Sequence, residues 1–195
     1  MLFGDFELEL DDLVYQPAED SFLLCDNLDV GEDDLVWELG TGSGIVGLHA
    51  ARLCRYIVLS DVNLNAVALA ERNFKNNGLS NFEVRAGDLF EPVENCKFDL
   101  ILFNAPYLPT DNDDVLDDDL NYAFDGGLDG RKTIDLFIDG VKNHLNEYGK
   151  VQLVQSSLSD NTKTIEKFQK QGFTTEITAS EHYFFEDIVV ITAHL

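Results

Sequence analysis

Two hydrophobic patterns alternate along this chain. Short apolar or alternating runs occur at residues 35–37, 56–59, 82–86, 98–103 and 151–154, each closed by polar or glycine-bearing turn residues. Such runs read as strands packed within a sheet. Between them apolar residues return every three or four positions, the spacing of one helix face. These sets are Phe22, Leu24, Cys25 and Leu28; Val67, Ala70 and Phe74; Ile134, Phe137, Ile138, Val141 and Leu145; and Ile165 with Phe168. Boundary residues sharpen the reading. Pro17 suits the first turn of a helix, with Glu19 and Asp20 near its N-terminus. The glycine-rich turn 40–44 opens a helix reaching about Leu53. Asn63 caps the next helix and Asn77-Gly78 stops it. Gly172 ends the last helix. Segments 173–179 and 183–193 then read as two strands joined by a short turn.

Strands alternating with helices predict a parallel sheet covered on both faces. The closing pair must be antiparallel, because a parallel return needs a crossover of about a dozen residues. The expected architecture is α/β: a doubly wound, mostly parallel, seven-stranded sheet with one antiparallel strand near its edge. Ligands bind such sheets outside the carboxyl ends of the strands.

Composition narrows the function. The chain has 195 residues, enough for one domain or at most two small ones. A domain of that size buries about 70% of its unfolded surface, so a real core forms without disulfides. Hydrophobic residues make up 45% and aromatic residues 11%, which argues against disorder despite the charge. Thirteen Lys and Arg against 37 Asp and Glu leave a net charge of −24. That argues against gripping nucleic-acid phosphates or an anionic membrane. The N-terminus lacks the basic region of a secretory signal. The longest stretch free of Lys, Arg, Asp and Glu, residues 39–51, is shorter than the roughly 20 residues that span a bilayer. Cys25, Cys54 and Cys96 read as reduced thiols of a cytoplasmic protein. No His falls at metal-ligand spacing with them, so no metal site is expected.

Four strand ends carry candidate chemistry. The first is Glu38-Leu-Gly-Thr-Gly-Ser-Gly44. It contains the dinucleotide pattern Gly42-x-Gly44-x-x-Gly47, with Asp61 lying 21 residues beyond Gly40. A nicotinamide or flavin site therefore has to be weighed. Glu38 speaks against it: an acid there repels a pyrophosphate and suits a ligand carrying an ammonium group. Asp61, after the second strand, can accept both hydroxyls of a ribose. Asp88 can take an adenine amino group while Leu89 packs on the ring. The fourth feature is Asn104-Ala-Pro-Tyr107, directly after a buried apolar run. Pro106 restricts Ala105 to extended geometry and so directs its carbonyl. The Asn104 side-chain oxygen and the Ala105 carbonyl can then grip the two hydrogens of a planar NH2, with Tyr107 stacking on the same plane.

Glu-x-Gly-x-Gly-x-Gly followed by Asn-x-Pro-Tyr resembles the class I S-adenosylmethionine-dependent methyltransferases that act on planar amino groups, with a Rossmann-like fold. Val14-Tyr-Gln-Pro-Ala-Glu-Asp-Ser21, Asp61-Val-Asn63, Phe103-Asn-Ala-Pro-Tyr-Leu-Pro109 and Gly126-Gly-Leu-Asp-Gly-Arg131 make the likeness closest to the HemK/PrmC type. They resemble in particular its short archaeal and eukaryotic form, across about residues 14–155. That form methylates the glutamine of the Gly-Gly-Gln loop in class I translation release factors. The resemblance implies cofactor contacts at Ser21, Glu38, Gly40, Gly42, Asp61, Asp88, Leu89 and Asn104. It implies a catalytic loop of Asn104, Ala105, Pro106 and Tyr107. It also implies one methyltransferase domain over residues 1–195, with 1–33 an extension contributing to the cofactor site in place of the bacterial helical substrate domain. Short-form relatives work with a small zinc-binding activating subunit. The strand at 82–86 should be a sheet edge that such a partner could extend. Two positions depart from the family: Ala105 stands where it usually reads Pro, and Gln16 where the short form commonly has Glu.

Competing readings are an adenine or cytosine N-methyltransferase, a nicotinamide-dependent oxidoreductase, and an inactive regulatory subunit. Charge tilts the choice toward a protein substrate. Six Asp between Asp111 and Asp119 follow the catalytic loop and are expected either to attract a basic partner or to be a solvated acidic loop.

Overall fold

The computed structural model describes residues 1–108 and 126–195, so the six aspartates at 111–119 lie outside the described residues. The chain opens with a two-stranded hairpin, β1 (Leu2–Phe3) and β2 (Phe6–Glu7), followed by α1 (Glu19–Asp26). The alternating series then runs β3 (Leu35–Leu39), α2 (Ile45–Ala51), β4 (Tyr56–Asp61), α3 (Leu64–Asn76), β5 (Phe82–Ala86) and β6 (Phe98–Asn104). After the undescribed segment come α4 (Lys132–Val141), β7 (Leu145–Ser156), α5 (Asn161–Lys170), β8 (Thr174–Tyr183) and β9 (Glu186–His194).

Seven strands form one sheet in the order β5-β4-β3-β6-β7-β9-β8. β3 to β7 pair parallel, and β9 runs antiparallel to both its neighbours, β7 and β8. The expected sheet is therefore present, its reversed strand one place in from the edge and β5 at the opposite edge. The apolar runs explain the layering. Alternate residues point to opposite faces. Val36, Ile57, Leu59, Leu100 and Leu102 pack on one face with Leu24, Leu48 and Phe74 from α1, α2 and α3. Trp37, Val58, Ile101 and Phe103 pack on the other with Phe137, Ile138 and Phe168 from α4 and α5.

Several boundaries follow the expected chemistry. The Asn63 side chain accepts the Asn65 N–H, and α3 stops at Asn77. Others moved. Pro17 precedes α1, which begins at Glu19 with Ala18 as its cap. α2 ends at Ala51, short of Leu53. Leu145 continues the apolar spacing of α4 but is the first residue of β7, because the 3-10 turn Lys142–His144 ends the helical path first. The β1–β2 hairpin had no sequence signal. Phe6 is nonetheless buried, with the Arg52 guanidinium 3.9 Å above its ring. All three cysteines are free; burial pushes the Cys25 thiol up and the Cys54 thiol to about 11. No helix among the described residues is long and apolar enough to cross a membrane.

Candidate active site

The carboxyl ends of β3, β4, β5 and β6 open on a cavity of about 370 Å³. Ser21, Glu38, Gly40, Gly42, Asp61, Asp88, Leu89, Asn104, Ala105, Pro106 and Tyr107 all line it. The structure thus brings together every residue the sequence singled out for the site. Val14, Tyr15, Pro17 and Asp20 complete one wall, so the segment before the sheet closes the cavity.

Glu38 is 4% exposed at the end of β3, and its Oε2 accepts the Thr41 hydroxyl at 2.7 Å. Burial pushes its carboxyl up to about 8 against the Thr41 hydrogen bond, and the neighbouring Asp61 adds to the rise. Gly47 permits this geometry: a Cβ there would overlap both Glu38 Oε2 and Leu59 Cδ2. Asp61 is held by two backbone donors, Gly42 N–H to Oδ2 and Asn63 N–H to Oδ1, each at 2.9 Å. Burial raises its carboxyl, and these donors oppose the rise. Each oxygen keeps acceptor capacity on its cavity side, since a carboxylate oxygen can take about two donors. Asp88 is exposed, and Leu89 beside it has a left-handed backbone, φ +44°.

Asn104 ends β6. Its Nδ2 lies 3.5 Å from Ser21 Oγ, while its Oδ1 is buried with no hydrogen-bond partner among the described residues. A buried polar atom left unpaired is destabilising and rare. Here it belongs to a residue lining the cavity, so it is a waiting acceptor for a donor N–H.

Tyr107 is fixed through its hydroxyl, which donates to Asp20 Oδ2 at 3.0 Å. Asp20, 5% exposed, also accepts the Tyr15 hydroxyl at 3.0 Å, the Ser21 N–H at 2.6 Å and the Ser21 hydroxyl at 3.2 Å. One carboxylate thus orients two walls of the cavity. The sequence singled it out only as a helix-terminal acid, because its partner Tyr107 lies 87 residues away. Burial and the Asp20 charge hold both phenols well above their usual range, so they stay protonated and act as donors.

The Gly-Gly-x-Asp-Gly-Arg segment has a clear place. The Tyr107 carbonyl accepts the Ser159 hydroxyl at 2.7 Å, and Gly126 N–H donates to the Leu108 carbonyl at 3.1 Å. Gly130, at φ +70°, lies so close that a Cβ would overlap the Tyr107 carbonyl. Arg131 is 3% exposed and donates to the carbonyls of Ser159 and Asp160, to Thr164 Oγ1 at 2.9 Å and to Asp135 Oδ1 at 2.8 Å. This buried fork braces the back of the Asn104–Tyr107 loop.

Comparison with known proteins agrees with the geometry. Residues 18–118 match the methyltransferase small domain. A Methanocaldococcus jannaschii chain, named provisionally as a protein N5-glutamine methyltransferase, is 46% identical over 96% of this chain and 94% of its own. A release factor glutamine methyltransferase of Geobacter sulfurreducens is 29% identical over 75% of this chain, which spans about half of it, 53%. Among solved structures, the E. cuniculi Mtq2-Trm112 complex, titled as responsible for methylation of the eRF1 termination factor, superposes with a TM-score of 0.72. It covers 93% of this chain and 98% of that one at 23% identity, a likeness of fold. A nicotinamide-dependent oxidoreductase is accordingly set aside: from the strand-end acids to the family match, the chain belongs to the methyltransferase small domain family, in its HemK/PrmC-type branch.

Proposed function

We propose that this chain uses S-adenosylmethionine to methylate the side-chain amide of the glutamine in the Gly-Gly-Gln loop of a class I translation release factor. The observation that carries the chemistry is the Oδ1 of the cavity-lining Asn104, buried and without a partner among the described residues. The names of the similar proteins support the substrate. The cavity fits the cofactor: the strand-end acids Glu38, Asp61 and Asp88 outnumber the one basic side chain, Lys132, among the described residues lining it, which suits a cationic, ribose-bearing ligand. Glu38 would face the ammonium group, Asp61 the ribose hydroxyls, and Asp88 with Leu89 the adenine. Ser21, Gly40 and Gly42 would shape the remaining contacts.

An amide nitrogen is a poor nucleophile because its lone pair is delocalised. The bound cofactor supplies a methyl on sulfonium, a very good leaving group. The chain's own work is positioning. Asn104 Oδ1 and the Ala105 carbonyl would accept the two amide hydrogens, aim the nitrogen and stabilise positive charge growing on it. Tyr107 would flank the amide plane, its hydroxyl anchored on Asp20. Neither tyrosine can serve as a base at neutral pH.

The test is methylation of a class I release factor, with the modified residue identified by mass spectrometry. Methyl on the Gly-Gly-Gln glutamine is expected; transfer to DNA adenine with none to the factor would overturn the reading. Edge strand β5 is where a small zinc-binding activating subunit would add a strand, and a cytoplasmic setting suits a translation-factor substrate. Assays with and without such a partner test that part: full activity of the isolated chain excludes dependence on it.

Glu38 makes cofactor binding pH-dependent. Burial pushes its carboxyl up to about 8, above the usual 4.5. Below about 8 it is increasingly protonated and cannot neutralise an ammonium group. Affinity for S-adenosylmethionine is expected to rise as pH climbs toward 8, by at most about tenfold per pH unit, and to stop rising there as the ligand's own ammonium group begins to lose its proton. Calorimetry from pH 6 to 9 checks this, and Glu38→Gln should remove that component. Stability runs the other way. The folded value lies above the unfolded one, so the unliganded protein loses stability as pH rises from about 4.5 to about 8.

A further inference from the structure

We propose that the tip of the β8–β9 hairpin docks an apolar, basic segment of the methyl-accepting protein beside the cavity mouth, a proposal that rests on the protein-substrate reading above. The tip is Tyr183-Phe184-Phe185-Glu186, and its two phenylalanines are 93% and 94% exposed. Single exposed apolar residues are ordinary, but two adjacent aromatic rings in full solvent are not. Their backbone makes the choice odder. Phe184 sits at φ +38°, a conformation that two-residue hairpin turns normally give to Gly, Asn or Asp. Folding would be served better by small polar residues here, so these rings answer to something else.

Location says what. The Asp187 N–H donates to Ser157 Oγ at 2.9 Å, which ties the hairpin to the turn Ser157–Ser159. From the same turn Ser159 donates to the Tyr107 carbonyl. Leu158 between them is half exposed, 53%. Tyr183 packs on the same core as Tyr107, and β8 and β9 contact α1, which carries Asp20 and Ser21. A polypeptide presenting its glutamine to Asn104 would therefore pass this tip.

Charge specifies the partner. Glu181, Glu186 and Asp187 flank the rings, and Glu19 begins the neighbouring helix. Asp187 already holds His182 at 2.8 Å. Glu186 is different: its Oε2 is buried with no partner among the described residues, a second waiting acceptor near the cavity. Aromatic rings ringed by acids suit apolar and basic side chains. The chain's charge of −24 opposes an anionic membrane as the occupant.

The experiment compares the full chain with a Phe184→Asn, Phe185→Ser double variant, using intact release factor as acceptor and the activating partner if the wild type needs it. Neither ring is packed, and Asn tolerates the left-handed turn, so the variant should keep its melting temperature. The expected result is a KM for the factor raised about tenfold or more with kcat and S-adenosylmethionine affinity within about twofold. A Phe184→Tyr, Phe185→Tyr variant should restore the wild-type KM. An unchanged KM overturns the docking contact and leaves glutamine methylation standing. A wild-type chain that binds the cofactor but never methylates the factor overturns both readings. A wild-type dimer that the double variant dissociates with no change in KM assigns the tip to a second copy and overturns the proposal.

Discussion

Asn104→Ala is expected to lower kcat on the order of 10²–10³-fold while changing S-adenosylmethionine affinity by no more than about threefold. The size follows from what a single preorganised group aimed at developing charge is worth. Asn104 Oδ1 is buried and has no partner among the described residues, so its dipole is left for the substrate. Its Nδ2 makes only a long contact, 3.5 Å, to Ser21 Oγ. The substitution therefore removes little that holds the cofactor wall, which rests on Glu38 and Asp61. Stability gives an independent signature. Deleting a buried acceptor that the fold leaves unsatisfied should not destabilise the protein, and can stabilise it slightly. Loss of turnover with equal or greater resistance to urea would mark Asn104 as a group kept for chemistry. Turnover within threefold of the wild type would sink the acceptor mechanism.

Much of this was legible because the relevant signals are local. A strand buried on both faces is an apolar run whatever surrounds it, and β3, β4 and β6 are such runs ending in Glu38-Leu39, Asp61 and Asn104. Parallel pairing then forces those ends to one edge, which is why residues scattered from 38 to 107 line one cavity. Local signals are lacking where the determinant is long-range or very short. β1 and β2 have two residues each, too few to show a period, and depend on Phe6 meeting Arg52 and His49. Asp20 is an unexceptional first-turn acid until Tyr107 reaches it. The Gly126–Arg131 motif was recognisable only by likeness, since its function depends on Ser159 and Thr164, about 30 residues on.

That last motif supplies the second large effect. Arg131→Ala is expected to destabilise the protein by about 3 kcal/mol, a fall in melting temperature of about 6–12 °C for a chain of this size. The arginine is buried, and its donors satisfy two carbonyls and a hydroxyl around the start of α5. Removing it strands those acceptors, each worth about 1–3 kcal/mol when unpaired. Asp135 contributes less to the loss because its side chain is 41% exposed and regains water. Arg131→Lys should recover only part of the stability, since an ammonium is a single point and cannot span a fork of acceptors. Urea denaturation of the three proteins measures this; an Arg131→Ala protein as stable as the wild type would remove the brace from the account. The same brace reaches the chemistry through Ser159, whose carbonyl Arg131 holds and whose hydroxyl holds the Tyr107 carbonyl. Ser159→Ala loses one neutral hydrogen bond, about 1 kcal/mol, and leaves the arginine fork intact. It should therefore lower kcat with a much smaller change in stability than Arg131→Ala. Turnover that fell only in step with stability across both variants would make the motif structural support alone; turnover lost in Ser159→Ala at nearly full stability makes it the element that aims the Asn104–Tyr107 loop.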